Sequence, residues 1–121
     1  MNADQAPPSG VHRPVSLSDA ELATVRDITT GVLPDATVWI FGSRATQRAR
    51  PYSDLDLLVQ AATPLSWLQR AELRDRFEAS DLPFRVDVVD AAGLASGFRA
   101  RVLAERIELA QARADSRDRR P

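Results

Sequence analysis

The polar and apolar residues of the chain follow two kinds of pattern, and these predict three strands separated by helices. Short runs rich in β-branched, aromatic and leucine residues, bounded by turn-forming residues, indicate buried strands. Such runs occupy residues Thr37–Phe41, 54–60 and 84–90. Apolar residues three or four positions apart indicate amphipathic helices between these runs.

The first predicted helix covers residues 19–30. Ser18 and Glu21 have the spacing of a capping box, in which each side chain accepts a hydrogen bond from the other residue's backbone N–H. A second helix is predicted over residues 65–79, because Thr63 and the proline after it suit the N-cap and the first helical position. Both helices carry an apolar side, which we expect to pack on the sheet.

Two further helical segments complete the prediction. A short helix is expected over residues 44–50 with Ser43 as its N-cap, and a last helical region over about 91–113, with Asp90 as its N-cap and a break near Gly97. This order of elements indicates an α/β (α+β) fold, a small mixed β-sheet with helices packed on it. The predicted parts are a flexible N-terminal segment 1–15, one folded domain 16–113 and a flexible charged tail 114–121.

Two aspartates, Asp54 and Asp56, interrupt a run that otherwise predicts a buried strand, although aspartate is depleted in strands. Because side chains alternate between the faces of a strand, the two carboxylates share one face with Leu58, and the other apolar residues face the core. Asp87 is placed in the same way in the run 84–90. If the two strands are neighbours, Asp87 joins the pair.

Three clustered carboxylates repel one another, so a divalent cation is their natural partner. Ligands that are all oxygen favour Mg²⁺ or Mn²⁺ over Zn²⁺. Each aspartate alone also has a simpler interpretation: Asp54 as the end of a turn, Asp56 as the partner of an arginine, and Asp87 as a surface charge on an edge strand. Together, the three in this pattern favour a metal site.

The turn at Gly42-Ser43 is the second candidate for chemistry, since it directly follows a predicted strand. Glycine lets the backbone approach a ligand closely, a helix N-terminus offers free N–H groups to phosphate, and a serine hydroxyl can add a hydrogen bond. Arg44 either faces the same phosphates or is a solvated surface residue. A Gly-Ser pair alone also marks many ordinary turns, so its value depends on the aspartates that follow.

Composition narrows the function further. The chain has 121 residues with 44% hydrophobic content, which suits one domain, and its net charge of -1 gives no general attraction to nucleic acid or to an anionic membrane. It has no cysteine, which excludes disulfides and thiolate metal sites. No run approaches the roughly 18 apolar residues of a membrane span, and the N-terminus lacks a secretory pattern. A cytoplasmic protein without a membrane partner is expected.

Gly42-Ser43, ten intervening residues and then Asp54-x-Asp56 resemble the signature of the polymerase-beta nucleotidyltransferase superfamily. The string "GSRA…SDLDLLV" is similar to the minimal, single-domain bacterial nucleotidyltransferases. The resemblance spans about residues 38–89 and includes Asp87. One departure is Gln47, which stands where those proteins usually carry a glycine that serves the backbone turn.

The resemblance implies a polymerase-beta-like fold and a nucleotidyltransferase enzyme. It implies that the β and γ phosphates of a nucleoside triphosphate, with ATP as the expected donor, lie at Gly42-Ser43 and beside Arg44. Asp54 and Asp56 would hold two Mg²⁺ ions, with Mn²⁺ as the alternative. Asp87 would bind one of them and help to activate the attacking hydroxyl.

Minimal members of this family are similar to antitoxins whose toxin is an all-helical HEPN ribonuclease, so the resemblance implies a HEPN-type toxin from an adjacent gene as partner. The protein would then be an adenylyltransferase that modifies a toxin Tyr hydroxyl within a toxin–antitoxin system. Trp67, Phe77 and Phe98 are candidates for a partner surface, with core packing as the alternative.

Other classes of function stay open at this point. One is a non-catalytic antitoxin or binding module that neutralises its partner by forming a complex. Another is a nucleotidyltransferase for small molecules, although such relatives carry an additional helical domain for which this chain has no room. Direct nucleic-acid binding is not expected, because the arginines form no extended basic cluster.

Overall fold

The computed structural model describes residues 13–115, which form a four-stranded sheet, a separate two-stranded sheet and three α-helices. The helices are α1 (Asp19–Val32), α2 (Trp67–Ala79) and α3 (Ser96–Glu105). The strands are β1 (Arg13–Val15), β2 (Thr37–Phe41), β3 (Leu55–Gln60), β4 (Val86–Asp90), β5 (Ile107–Glu108) and β6 (Ala112–Ala114). Short 3₁₀ turns occupy Gly42–Arg44, Ala91–Gly93 and Leu109–Gln111. What was predicted for residues 1–12 and 116–121 lies outside the described residues.

The larger sheet has the strand order β4-β3-β2-β5. Strands β2 and β3 are antiparallel, with Trp39 opposite Leu58, whereas β3 and β4 are parallel, with Asp56 opposite Asp87. The short strand β5 pairs with the free edge of β2. The predicted mixed sheet is confirmed, and the two strands that carry the aspartates are neighbours.

The two faces of β3 have different surroundings, as its alternating sequence predicts. The face directed at α1 and α2 carries the residues of the main core, namely Leu55, Leu57 and Val59. On the opposite face, Leu58 packs with Phe41 and with Val102 of α3 in a smaller apolar cluster. Helix α3 therefore covers part of the face that carries the aspartates.

Capping determines where the first two helices begin. Ser18 and Glu21 form the predicted capping box, and α1 continues two residues beyond its predicted end. The predicted start of α2 was wrong: Ser66 is the N-cap, because it forms a capping box with Gln69. The N–H of Leu65 donates to the Asp90 carboxylate at 2.8 Å and so takes no part in the helix.

The predicted helical region 91–113 was wrong over most of its length. Asp90 does act as an N-cap, but of a short 3₁₀ turn, and α3 ends at Glu105. Ile107 then pairs with Ile40 of β2 and is buried. Pairing with an available strand edge outweighs the helical propensity of the segment that follows α3.

Two other local predictions need correction. The helix expected over residues 44–50 does not form, because the 3₁₀ turn ends at Arg44 and turns follow it. The N-terminal segment predicted to be flexible, 1–15, was drawn too long. Its last three residues form β1, which pairs in parallel with β6. Val15 of β1 is fully buried.

Of the three aromatic residues considered as a partner surface, Phe77 is buried in the main core and Phe98 packs edge-on against Phe41. Trp67 is 77% exposed. No helix within residues 13–115 has the length and apolar character needed to cross a membrane.

Candidate active site

The three aspartates lie together on one face of the β3–β4 pair. Asp54 directly precedes β3, and the paired positions of Asp56 and Asp87 place these two side by side on neighbouring strands. Leu58 and Val89, each two residues further along, pack in the smaller cluster under α3. Because side chains two residues apart share a face, the aspartates face the same side as α3.

The surroundings of Asp56 disfavour its ionised form. Burial raises the pKa of its carboxyl first, and the charges of Asp87 and Asp54 raise it further. Glu105 of α3 acts in the same direction, and Arg101 opposes them. A group of this kind favours a cation beside it, since a nearby positive charge stabilises the ionised carboxylate.

Arg85 forms ion pairs with Asp54 and Asp87. Its Nη2 donates to Asp54 Oδ2 at 2.9 Å and lies 3.6 Å from Asp87 Oδ2. The hydrogen bond with Asp54 raises the pKa of Arg85, and the charges of Asp54 and Asp87 add to this effect. Within residues 13–115, no three acidic or histidine side chains are arranged as a ready metal cluster.

The donor set nevertheless fits a hard divalent cation. Asp54, Asp56 and Asp87 offer only carboxylate oxygens, which Mg²⁺ and Mn²⁺ prefer. The raised pKa of Asp56 comes in part from the other two aspartates, which shows that their charges act on one another. Arg85 lies beside Oδ2 of both Asp54 and Asp87 and therefore competes with an ion for these oxygens.

Gly42 forms the turn next to Asp56. Its φ of +77° lies in the left-handed region that favours glycine, and a Cβ at this position would overlap Asp56 Oδ2. Its N–H donates to Glu105 Oε1 at 2.8 Å, so the end of α3 is tied to the turn. The hydroxyl of Ser43 makes no hydrogen bond with any described residue, and Ser43 is partly buried.

The structure gives Arg44 a different role from the predicted one. Its side chain is only 2% exposed and stacks on Phe84, with the guanidinium carbon 4.0 Å from the ring centroid. The guanidinium donates to the backbone carbonyls of Ser16, Pro51 and Ser53. Because these bonds use its donors inside the protein, Arg44 holds the loop that leads to Asp54 and does not face phosphate.

Gln47 occupies the position where the resembling family usually carries glycine, and its backbone explains that preference. Its φ is +63°, and it is the one non-glycine residue with a positive φ within residues 13–115. Its side-chain Nε2 donates to the carbonyl of Pro14 at 3.4 Å. The turn therefore forms with glutamine, at an energetic cost that glycine would not incur.

Two residues of the site were missed in the sequence. Arg85 carried a usable signal, since it lies two residues before Asp87 in the same strand run and so shares its face. Glu105 carried none, because its contact with Gly42 spans 63 positions and depends on where α3 ends.

The fold and the site together define a nucleotidyltransferase. Residues 35–115 match the family described as polymerase beta, nucleotidyltransferase, and the chain belongs to this family. Enzymes of this family use a nucleoside triphosphate together with a divalent metal.

Two individual proteins are similar to this chain at 40% identity or more. The chain is 45% identical over 85 residues to the probable protein adenylyltransferase MntA of Haemophilus influenzae, and the match covers 70% of this chain and 75% of that protein. A solved structure assigned as a minimal nucleotidyltransferase is 40% identical with a TM-score of 0.54, and covers 71% of this chain and 93% of its own.

A third similarity concerns the fold alone. A chain from the complex of a tri-AMPylated HEPN toxin of Shewanella oneidensis with an MNT antitoxin superimposes with a TM-score of 0.57 at 23% identity. The match covers 80% of this chain and 72% of the other.

Proposed function

We propose that this chain transfers AMP from ATP to a hydroxyl group of a partner protein, and that the acceptor is a tyrosine of a HEPN-type toxin. The transfer silences the toxin, so the chain acts as its antitoxin. The observation that carries this proposal is the pairing of Asp56 with Asp87 on neighbouring strands, with Asp54 on the same face and the Gly42 turn against Asp56.

The residues of the site divide the work. Asp54, Asp56 and Asp87 would hold Mg²⁺ or Mn²⁺, which would supply positive charge beside the phosphates. The hydroxyl of Ser43 donates a hydrogen bond to the phosphates, and Gly42 lets the phosphates approach the turn closely. Asp87 draws the proton from the acceptor hydroxyl, whose oxygen bonds to the α-phosphorus. The bond from this phosphorus to the bridging oxygen breaks, and pyrophosphate leaves.

The choice of acceptor rests on the relatives. The similar protein of Haemophilus influenzae is named a protein adenylyltransferase, and the similar complex from Shewanella oneidensis contains an AMPylated HEPN toxin. Both names support AMP as the group transferred and a protein as the acceptor. They also support a toxin as the partner.

The test is an incubation of the full chain with α-labelled ATP, Mg²⁺ and the protein encoded by the adjacent gene. The expected result is label on a tyrosine of that protein, seen as an AMP mass increment on one peptide. The matched control is Asp56→Asn, which removes one carboxylate charge at nearly constant volume and should leave the partner unlabelled. Label on the partner at the wild-type rate with Asp56→Asn would contradict the proposal.

A binding module without catalysis is the second candidate. It is favoured by one observation, that Asp54 and Asp87 are paired with Arg85 and not arranged for an ion. In the same incubation, a tight complex that never acquires label would support this candidate and exclude the enzyme.

A further inference from the structure

The backbone places Arg85 over the acids. Its carbonyl accepts a hydrogen bond from the N–H of Leu55 at 2.9 Å, which extends the parallel ladder by one residue toward Asp54. Because Arg85 lies two positions before Asp87, its side chain leaves the strand on the same face as Asp87. The start of this side chain is therefore fixed by the sheet.

One terminal nitrogen of Arg85 serves two carboxylates. Nη2 lies 2.9 Å from Asp54 and 3.6 Å from Asp87, whereas Asp56 has no ion pair with any described residue. The three carboxylates bring three negative charges to this face when ionised, and Arg85 brings one positive charge. The carboxylate oxygens that it holds belong to two of the three groups that a metal ion needs.

We propose that Arg85 is an internal counter-ion of the metal site, which holds Asp54 and Asp87 when no metal is bound and which a divalent cation must displace. Arg85 thereby lowers the affinity of the empty enzyme for metal. It also stabilises the empty enzyme, because it partly neutralises the clustered acids. This inference rests on the proposed metal site.

The displacement is expected to be easy. The side chain of Arg85 is 73% exposed, and those of Asp54 and Asp87 are 40% and 46% exposed. Ion pairs in such positions are weak, since water and salt screen them. Removing the competitor should therefore strengthen metal binding by roughly 2- to 10-fold and not by orders of magnitude.

The experiment measures Mn²⁺ binding to the full chain without nucleotide, by the loss of the free-ion signal in electron paramagnetic resonance. Arg85→Gln should bind Mn²⁺ more tightly than the wild type, and in EDTA it should have a lower Tm. Arg85→Lys keeps the charge and should stay closer to the wild type in both readouts. Arg76→Gln is the control, because it removes an exposed arginine from an ion pair with Glu72 on α2.

Opposite signs in the two readouts separate a counter-ion from a residue that only supports the fold, which would not improve metal binding when removed. The inference is overturned if Arg85→Gln binds Mn²⁺ equally well or more weakly while the wild type binds it. If the wild type neither binds Mn²⁺ nor transfers AMP, the proposed function fails as well. If the wild type binds Mn²⁺ and transfers AMP, but Arg85→Gln has the same affinity for Mn²⁺, the inference about Arg85 fails and the proposed function stands.

Discussion

Gly42 lies directly against the carboxylate of Asp56, so closely that a single added Cβ would overlap Asp56 Oδ2. The positive φ of Gly42 and this contact impose the same requirement, the absence of a side chain. The turn and the proposed metal site are thus packed together, and a side chain at Gly42 would displace Asp56.

We expect Gly42→Ala to lower the free energy of unfolding by roughly 1–3 kcal/mol, because alanine is strained at this φ and displaces Asp56. AMP transfer should fall together with stability. Chemical denaturation and the transfer assay measure the two effects. Gly93→Ala is the control, since a Cβ there meets no atom within 4 Å. Equal stability of the two variants would show that the turn tolerates a side chain.

The hydrogen bond from Gly42 to Glu105 makes a second prediction. Glu105→Ala leaves the Gly42 N–H without its acceptor and should cost about 1 kcal/mol of stability, whereas Glu105→Gln keeps an acceptor oxygen and should cost less. Thermal unfolding of both variants measures the difference. If Glu105 positions the turn, the KM for ATP should rise more in the alanine variant than in the glutamine variant. If the two variants have the same Tm and the same KM for ATP, Glu105 does not position the turn.

Gln47 permits a test in which a substitution is expected to be tolerated or beneficial. Gln47→Gly relieves the left-handed backbone but adds freedom to the unfolded chain, so stability should stay within about 1 kcal/mol of the wild type or rise. Gln47→Val should destabilise by roughly 1–2 kcal/mol, because a β-branched residue is poorly suited to this φ. Denaturant midpoints should rank glycine at or above glutamine, and both above valine. Valine equal to glutamine would contradict the φ of Gln47 seen here.

The pKa of Asp56 leads to a dependence of stability on pH. Because burial and the neighbouring acids raise this pKa in the folded state, folding binds the proton more tightly and the metal-free protein loses stability as pH rises through the folded pKa. Asp56→Asn cannot ionise, so in EDTA its Tm should exceed that of the wild type at neutral pH. The difference should vanish at pH below the ordinary pKa of aspartate. A difference that is constant across pH would mean that charge is not its cause.

The local pattern predicted much of this structure. Alternation of side chains placed Asp54 and Asp56 on one face of their predicted strand and Asp87 on the polar face of its own, and Ser18 with Glu21 predicted the start of α1. These features depend on residues that are near one another in the chain or share a period of two. That the strands of Asp56 and Asp87 are neighbours is a tertiary relationship, which these rules left open.

The features that the sequence did not predict depend on tertiary contacts. Strand β5 has two residues, too few for a period to be recognised, and its formation depends on the exposed edge of β2. Arginine is seldom fully buried, so nothing in the sequence distinguishes Arg44 from the exposed arginines. Its burial requires the ring of Phe84 and the carbonyls of Ser16 and Ser53, which only the folded chain brings together around it.

The central claim is that the clustered acids carry the transfer of AMP, and Asp87→Asn tests it most directly. The substitution keeps the volume of a side chain that is only partly buried, so the fold should persist, as judged by circular dichroism and Tm. Turnover of α-labelled ATP onto the partner protein should fall by roughly 100-fold or more, because the site would lose both the proposed metal ligand and the proposed acceptor of the hydroxyl proton. Asp81→Asn, on an exposed turn away from the site, should keep wild-type turnover. Wild-type turnover in Asp87→Asn would contradict the account.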